Sequence, residues 1–190
     1  MRKRFLIFIA TFGALHASSY VKSSLGWFYA PPKDEALFNA LKLGHKEHAE
    51  LLVNESRYVL VPDEYGNTTL ILAAMRGYDY VVKKLIKKGA DLRSVTDDGN
   101  TALLLAADFG RLTTVDFLIE NGAEIDRVNK WGYTPLIISV MRGHYKVVEM
   151  LLYRNASVNI QDKSGRTAFG YAQLYNNVTM MRLLRRYKAK

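Results

Sequence analysis

No cysteine occurs in the 190-residue chain. That excludes disulfides, thiolate metal sites and a cysteine nucleophile. It also excludes a bacterial lipoprotein anchor, which is built on a cysteine following the export signal. Long apolar runs are missing as well. The stretch Phe5–Leu15 spans only 11 residues, against the roughly 20 that a membrane-crossing helix needs, and no other segment is a candidate. The familiar catalytic signatures are absent too: no G-x-S-x-G, no H-E-x-x-H, no phosphate-binding G-x-x-x-x-G-K and no G-x-G-x-x-G. No catalytic residue, cofactor or metal is therefore expected. His45 and His48 stand one helical turn apart, but a pair without a third ligand makes a poor metal site. Structural roles are expected for both, and Glu47 and Glu50 read as a solvated helix face.

The amino terminus has its own character. Met1-Arg2-Lys3-Arg4 precedes the uncharged Phe5–Leu15, and His16-Ala17-Ser18-Ser19-Tyr20 follows. A positive start, an apolar centre and a small-residue exit resemble a secretory signal peptide. Residues 1–19 are therefore expected to be removed, leaving Tyr20 as the new terminus and an exported protein, periplasmic or secreted. Removal changes the charge balance, because the formal +9 includes Arg2, Lys3 and Arg4. Residues 20–161 hold 17 Lys/Arg and 17 Asp/Glu, whereas residues 162–190 hold seven basic side chains and one acid. The mature chain thus reads as a neutral body with a basic end.

The body is periodic. Gly66, Gly99, Gly132 and Gly165 lie 33 residues apart. Thr68, Thr101, Thr134 and Thr167 follow in phase, and then Leu70, Leu103, Leu136 and Phe169. A fixed period of this size is the mark of a solenoid of stacked supersecondary units. Each threonine can cap a helix by accepting an orphan backbone N–H, and Pro135 suits the first helical position after its cap. Gly77, Gly110 and Gly143 are placed to end the first helix of each unit in a left-handed conformation, with Asn176 taking that role last. Gly89, Gly122 and Asn155 end the second helices. Ala73-Ala74 and Ala106-Ala107 allow close helix approach. Val81-Val82 and Leu85-Ile86 form an apolar helix face.

The third full unit carries the family resemblance most clearly. Gly132-Tyr133-Thr134-Pro135-Leu136, Gly143-His144, Val147-Val148 and Leu151-Leu152 resemble the G-x-T-P-L opening, G-H turn and V-V-x-x-L-L helix of the ankyrin repeat family. The resemblance implies an all-α solenoid of helix-turn-helix units with projecting β-turn loops, in about five repeats including degenerate caps. The expected division is a signal peptide (1–19), an aromatic and proline-bearing linker (20–33) whose Trp27-Phe28-Tyr29 folds over the cap, and a repeat domain (34–190). The repeats fall at 34–62, 63–95, 96–128, 129–161 and 162–190. One departure is visible: the histidine frequent after T-P-L is replaced by Ile71, Leu104, Ile137 and Gly170, so the inner seam should be more apolar.

The resemblance also implies where a partner protein would sit, on the loop tips and the exposed side of the first helices. In this sequence those positions hold Glu64, Tyr65, Asn67, Met75 and Arg76, then Asp97, Asp98, Asn100, Asp108 and Phe109. They continue with Lys130, Trp131, Tyr133, Met141 and Arg142, and end with Lys163, Ser164, Arg166, Leu174 and Tyr175. Aromatics, methionine and arginine are what interface cores enrich, so Tyr65, Met75, Arg76, Asp108, Phe109, Lys130, Trp131, Tyr133, Met141, Arg142, Arg166 and Tyr175 are the candidate site. Trp131 and Tyr133 are its expected centre. The expected function is non-catalytic protein binding, as an inhibitor or self-protection protein for a co-exported enzyme such as a peptidoglycan hydrolase. A secreted effector binding host proteins is the alternative. Anion binding through Arg182, Arg185, Arg186, Lys188 and Lys190 is another, with glycan or lipid headgroups as ligands. No nucleic-acid partner is expected, and the free chain is expected to be monomeric. The N-x-S/T triplets at Asn54, Asn67, Asn155 and Asn177 would matter only in a eukaryotic secretory route. Lys83-Lys84 and Lys87-Lys88 read as a solvated basic stripe.

Overall fold

A computed structural model describes residues 20–23, 26–29, 33–56 and 62–187. The expected signal peptide, Lys188 and Lys190 lie outside the described residues. The segment read as a linker carries two strands, β1 (Tyr20–Ser23) and β2 (Gly26–Tyr29), which pair antiparallel with Tyr20 opposite Tyr29.

Ten helices follow among the described residues, in five consecutive pairs. They are α1 (Lys33–Leu43) and α2 (Lys46–Glu55), α3 (Thr69–Arg76) and α4 (Asp79–Lys87), α5 (Ala102–Asp108) and α6 (Leu112–Glu120), α7 (Pro135–Arg142) and α8 (Tyr145–Tyr153), and α9 (Ala168–Leu174) and α10 (Val178–Arg186). The first helices α1, α3, α5, α7 and α9 pack side by side as one layer, and α2, α4, α6 and α8 form the second. This is the all-α repeat solenoid that the period implied.

The local causes are the same in each unit. The hydroxyls of Thr68, Thr101, Thr134 and Thr167 accept the backbone N–H of Ile71, Leu104, Ile137 and Gly170 at 3.1–3.2 Å. Three of those acceptors' partners are the apolar residues that replace histidine, so the cap survives the loss of an imidazole. The first helices end at left-handed residues, including Asn176 at φ 51°, and Asn155 at φ 64° ends a second helix. One continuous apolar core runs through the stack, with the Ala73-Ala74 and Ala106-Ala107 pairs fully buried. Val81, Val82 and Leu85 are buried, whereas Ile86 is half-buried.

Polar bonds tie each repeat to the one before it. The Arg76 guanidinium donates to the carbonyls of Leu41 and Lys42 at 2.5 and 2.6 Å, satisfying the last turn of α1. Tyr78 donates its hydroxyl to the Gly44 carbonyl, Arg111 donates to that of Met75, and His144 Nε2 meets that of Asp108. Lys88 reaches back to the carbonyls of Val53 and Ser56 at the end of α2. These bonds join residues 32 to 36 positions apart, one repeat away.

Candidate functional site

The loop tips are built by a device that the periodic glycines did not reveal. Three residues before each repeat glycine stands a polar side chain: Asp63, Thr96, Asn129 and Asp162. Asn129 Oδ1 accepts the backbone N–H groups of Trp131 and Tyr133, each at 3.0 Å. Asp162 Oδ1 does the same for Ser164 and Arg166 at 2.8 and 2.9 Å, and Asp63 Oδ1 for Tyr65 and Asn67. These three tips are thus Asx-type turns, and at the remaining tip the Thr96 hydroxyl accepts the Asn100 N–H at 3.2 Å. Neighbouring tips are then joined by backbone bonds: Asp97 N–H to the Tyr65 carbonyl, Lys130 N–H to Asp98, and Lys163 N–H to Trp131, at 2.9–3.0 Å. The sequence signal was present, since all four polar residues share the 33-residue phase.

This scaffold fixes a run of rings. Trp131 stacks on Tyr133 with centroids 6.1 Å apart, Tyr133 meets Tyr171 edge-on at 6.1 Å, and Tyr171 stacks on Tyr175 at 6.3 Å. Exposure rises towards both ends of the run: Trp131 is 41% and Tyr175 53% exposed, while Tyr171 is 5% exposed. Tyr133, expected to stand free beside Trp131, is half-buried against the core. Its ring braces Trp131 from below. Tyr171 is a ring that the sequence pattern does not single out. It is anchored by its hydroxyl, which donates to Asp162 Oδ2 at 2.6 Å.

The same carboxylate therefore holds the last tip and the last ring. Burial alone would raise the Asp162 pKa. The Tyr171 and Ser164 hydroxyls and the backbone N–H groups of Arg166 and Ser164 outweigh it and bring it down to about 2. Tyr171 is pushed above its ordinary value, by burial first and by its bond to Asp162 second.

Between the tips and the first helices lies a groove of about 380 Å³, lined by Asn100, Leu105, Asp108, Asn129, Trp131, Tyr133, Ile138, Met141, Arg142 and Tyr175. Six of these, Asp108, Trp131, Tyr133, Met141, Arg142 and Tyr175, belong to the candidate site read from sequence. Its floor is apolar and its helix-side edge is an ion pair, Arg142 Nε to Asp108 Oδ1 at 2.5 Å. That bond and the carboxylate's charge raise the Arg142 pKa. Lys130 pairs with Asp98 and lies 4.6 Å over the Trp131 ring. Arg166 lies 5.1 Å over Tyr171. Phe109 is exposed at the end of α5.

Other candidate residues stand apart from the groove. Tyr65 is exposed on the first full tip, and Met75 is half-buried against the core. Arg76 is committed to the carbonyls of α1 as described. At the basic end, Arg182, Arg185 and Arg186 are exposed on α10, and Arg185 lies 5.2 Å over the Phe169 ring. His45 and His48 are exposed, with ring centroids 6.1 Å apart. No group of three or more His, Asp or Glu among the described residues is placed to hold a metal. No helix among them is long and apolar enough to cross a membrane.

Comparison with protein families decides what these units are. A model of three ankyrin repeats matches residues 15–96, 37–129, 78–162 and 103–190. The chain belongs to the ankyrin repeat family. A search of curated proteins returns no significant match. Membership makes the ankyrin solenoid a protein–protein interaction module, of a family whose members are typically non-catalytic scaffolds. In this ankyrin protein the groove and ring run lie between the loop tips and the first helices of the last three repeats.

Proposed function

We propose that the chain is an exported, non-catalytic protein-binding module whose partner seats in the groove between the tips and first helices of the last three repeats. The observation that carries this reading is the ring run from Trp131 to Tyr175. It exposes large rings at both ends while its middle members are held in place, Tyr133 against the core and Tyr171 by a buried carboxylate. Rings held rigid before binding lose little entropy on complex formation, and such anchors dominate interface energetics. The amino-terminal resemblance to a secretory signal peptide supports a partner in the periplasm or outside the cell. A co-exported enzyme restrained by this module, such as a peptidoglycan hydrolase, suits that setting. A secreted effector acting on host proteins is the competing role within the same class.

Two measurements test this. Fractionation reports location, and recovery mainly from medium or host cells favours the effector role over the envelope role. Affinity capture from an envelope extract compares the chain with its Trp131→Ala/Tyr175→Ala variant. A protein retained by the first and lost by the second supports the reading, and equal retention by both contradicts it. Tyr175 replaces Tyr133 in this pair because Tyr133 is packed against the core. The basic end is a weaker candidate for binding, since Arg185 is already engaged with Phe169.

A further inference from the structure

The charge of this solenoid is divided along its axis. Residues 34–128 carry 16 acidic and 11 basic side chains, whereas residues 129–187 carry nine basic and two acidic ones. Neither acid of the second half lines the groove or forms an ion pair with a cation beside it. Glu149 lies on α8, in the second helix layer. Asp162 is buried, with both oxygens engaged by Tyr171, Ser164 and Arg166. The groove's own Asp108 and Arg142 neutralise each other, and Lys130 is matched by Asp98.

Two cations at the aromatic wall remain unmatched. Lys163 and Arg166 are exposed and make no ion pair among the described residues. Lys163 sits beside Trp131 because its backbone N–H bonds the Trp131 carbonyl at 3.0 Å. Arg166 sits on Tyr171, which stacks on Tyr175. The site therefore combines an apolar floor, with room for a bulky side chain, and, beside its aromatic wall, two exposed cations that form no ion pair among the described residues. We infer that the groove's occupant is an acidic protein segment that inserts one large apolar side chain and sets carboxylates against Lys163 and Arg166. This deepens the proposed protein-binding function and rests on it. Complementary rim charge of this kind speeds encounter and excludes wrong partners.

The test is panning of a displayed random dodecapeptide library on the purified chain. Fluorescence anisotropy on synthetic copies of the enriched peptides follows. The expected peptides carry two or more carboxylates next to Trp, Phe or Leu. Their affinity falls at least about tenfold on Lys163→Glu/Arg166→Glu and weakens as salt rises. Lys163→Gln/Arg166→Gln gives a smaller loss in the same direction, and melting curves of both variants confirm that they fold. Trp131→Ala abolishes binding. If Trp131→Ala abolishes binding while both charge variants bind normally, the groove stands and the acidic occupant is refuted. If none of the variants matters, both readings fail. Enrichment without acidic excess refutes the acidic occupant. So does the absence of any enriched peptide, and so does groove-dependent capture of a heparin hexasaccharide in place of peptides.

Discussion

Gly132 and Gly165 hold the same backbone conformation in neighbouring tips, yet their surroundings differ. Their φ angles are +84° and +77°. A Cβ added at Gly132 would lie 2.8 Å from the Lys163 backbone nitrogen and 3.0 Å from the Asp162 Cα. One added at Gly165 would meet nothing within 4 Å among the described residues. Alanine at either position bears the left-handed penalty, about 1–2 kcal/mol. At Gly132 it must also push the next tip away, and such overpacking costs about 1–3 kcal/mol more. Urea unfolding should therefore show Gly165→Ala destabilised by about 1–2 kcal/mol and Gly132→Ala by about 2–5 kcal/mol, with similar m-values. In a Trp27→Phe background, the emission of Trp131 should shift in Gly132→Ala alone. Equal losses in the two variants would refute the close inter-repeat approach. Tips that can be spread at no cost are not held rigid, so the rigidity of the ring run would fall with it.

Three further outcomes follow from the same geometry. Asp162→Ala leaves the buried Tyr171 hydroxyl and two backbone N–H groups without their acceptor, so calorimetry should show a loss of about 2–4 kcal/mol. Tyr171→Phe should cost less. Because the Asp162 pKa is depressed from 3.8 to about 2, its contribution is present above pH 4 and is lost as pH falls towards 2; Tyr171, raised above 10, contributes below pH 10 and loses that contribution above it. Stability-against-pH curves of Asp162→Asn should show a shallower acid limb, with the remainder carried by Asp63 and Asp91, whose pKa values are also lowered, and an unchanged acid limb contradicts the assignment. Arg76→Ala uncovers the last carbonyls of α1, so hydrogen exchange should accelerate across 33–56 while residues 129–187 keep their protection; uniform acceleration would mean that the first repeat is not separately held.

The fold was legible because its signals repeat in phase. Threonine caps, left-handed glycines and their asparagine substitutes depend on a residue's own backbone, and each worked where the 33-residue register placed it. The site was legible in part. Trp131, Met141, Arg142 and Tyr175 do meet around one groove. Arg76 and Tyr133 show where such reading stops, because their roles depend on atoms of another repeat or of the core. Arg76 looked like a free arginine before the stack placed two carbonyls within 2.6 Å of it. Tyr171 is not singled out by the sequence, yet its hydroxyl reaches a carboxylate nine residues back, across a turn. The polar residues that hold the tips were readable in principle. They share the register, but their chemistry varies among Asp, Thr and Asn.

The central claim is that the partner meets the ring run on the groove side rather than the second helix layer. Photo-crosslinking tests it most directly, with a benzophenone amino acid placed at Trp131 in one chain and at Tyr153 in another. Tyr153 is 73% exposed, at the end of α8, so both probes reach solvent. The account predicts one discrete crosslinked protein from position 131 and none from position 153. A crosslink from position 153 alone would place the partner on the opposite layer and contradict it.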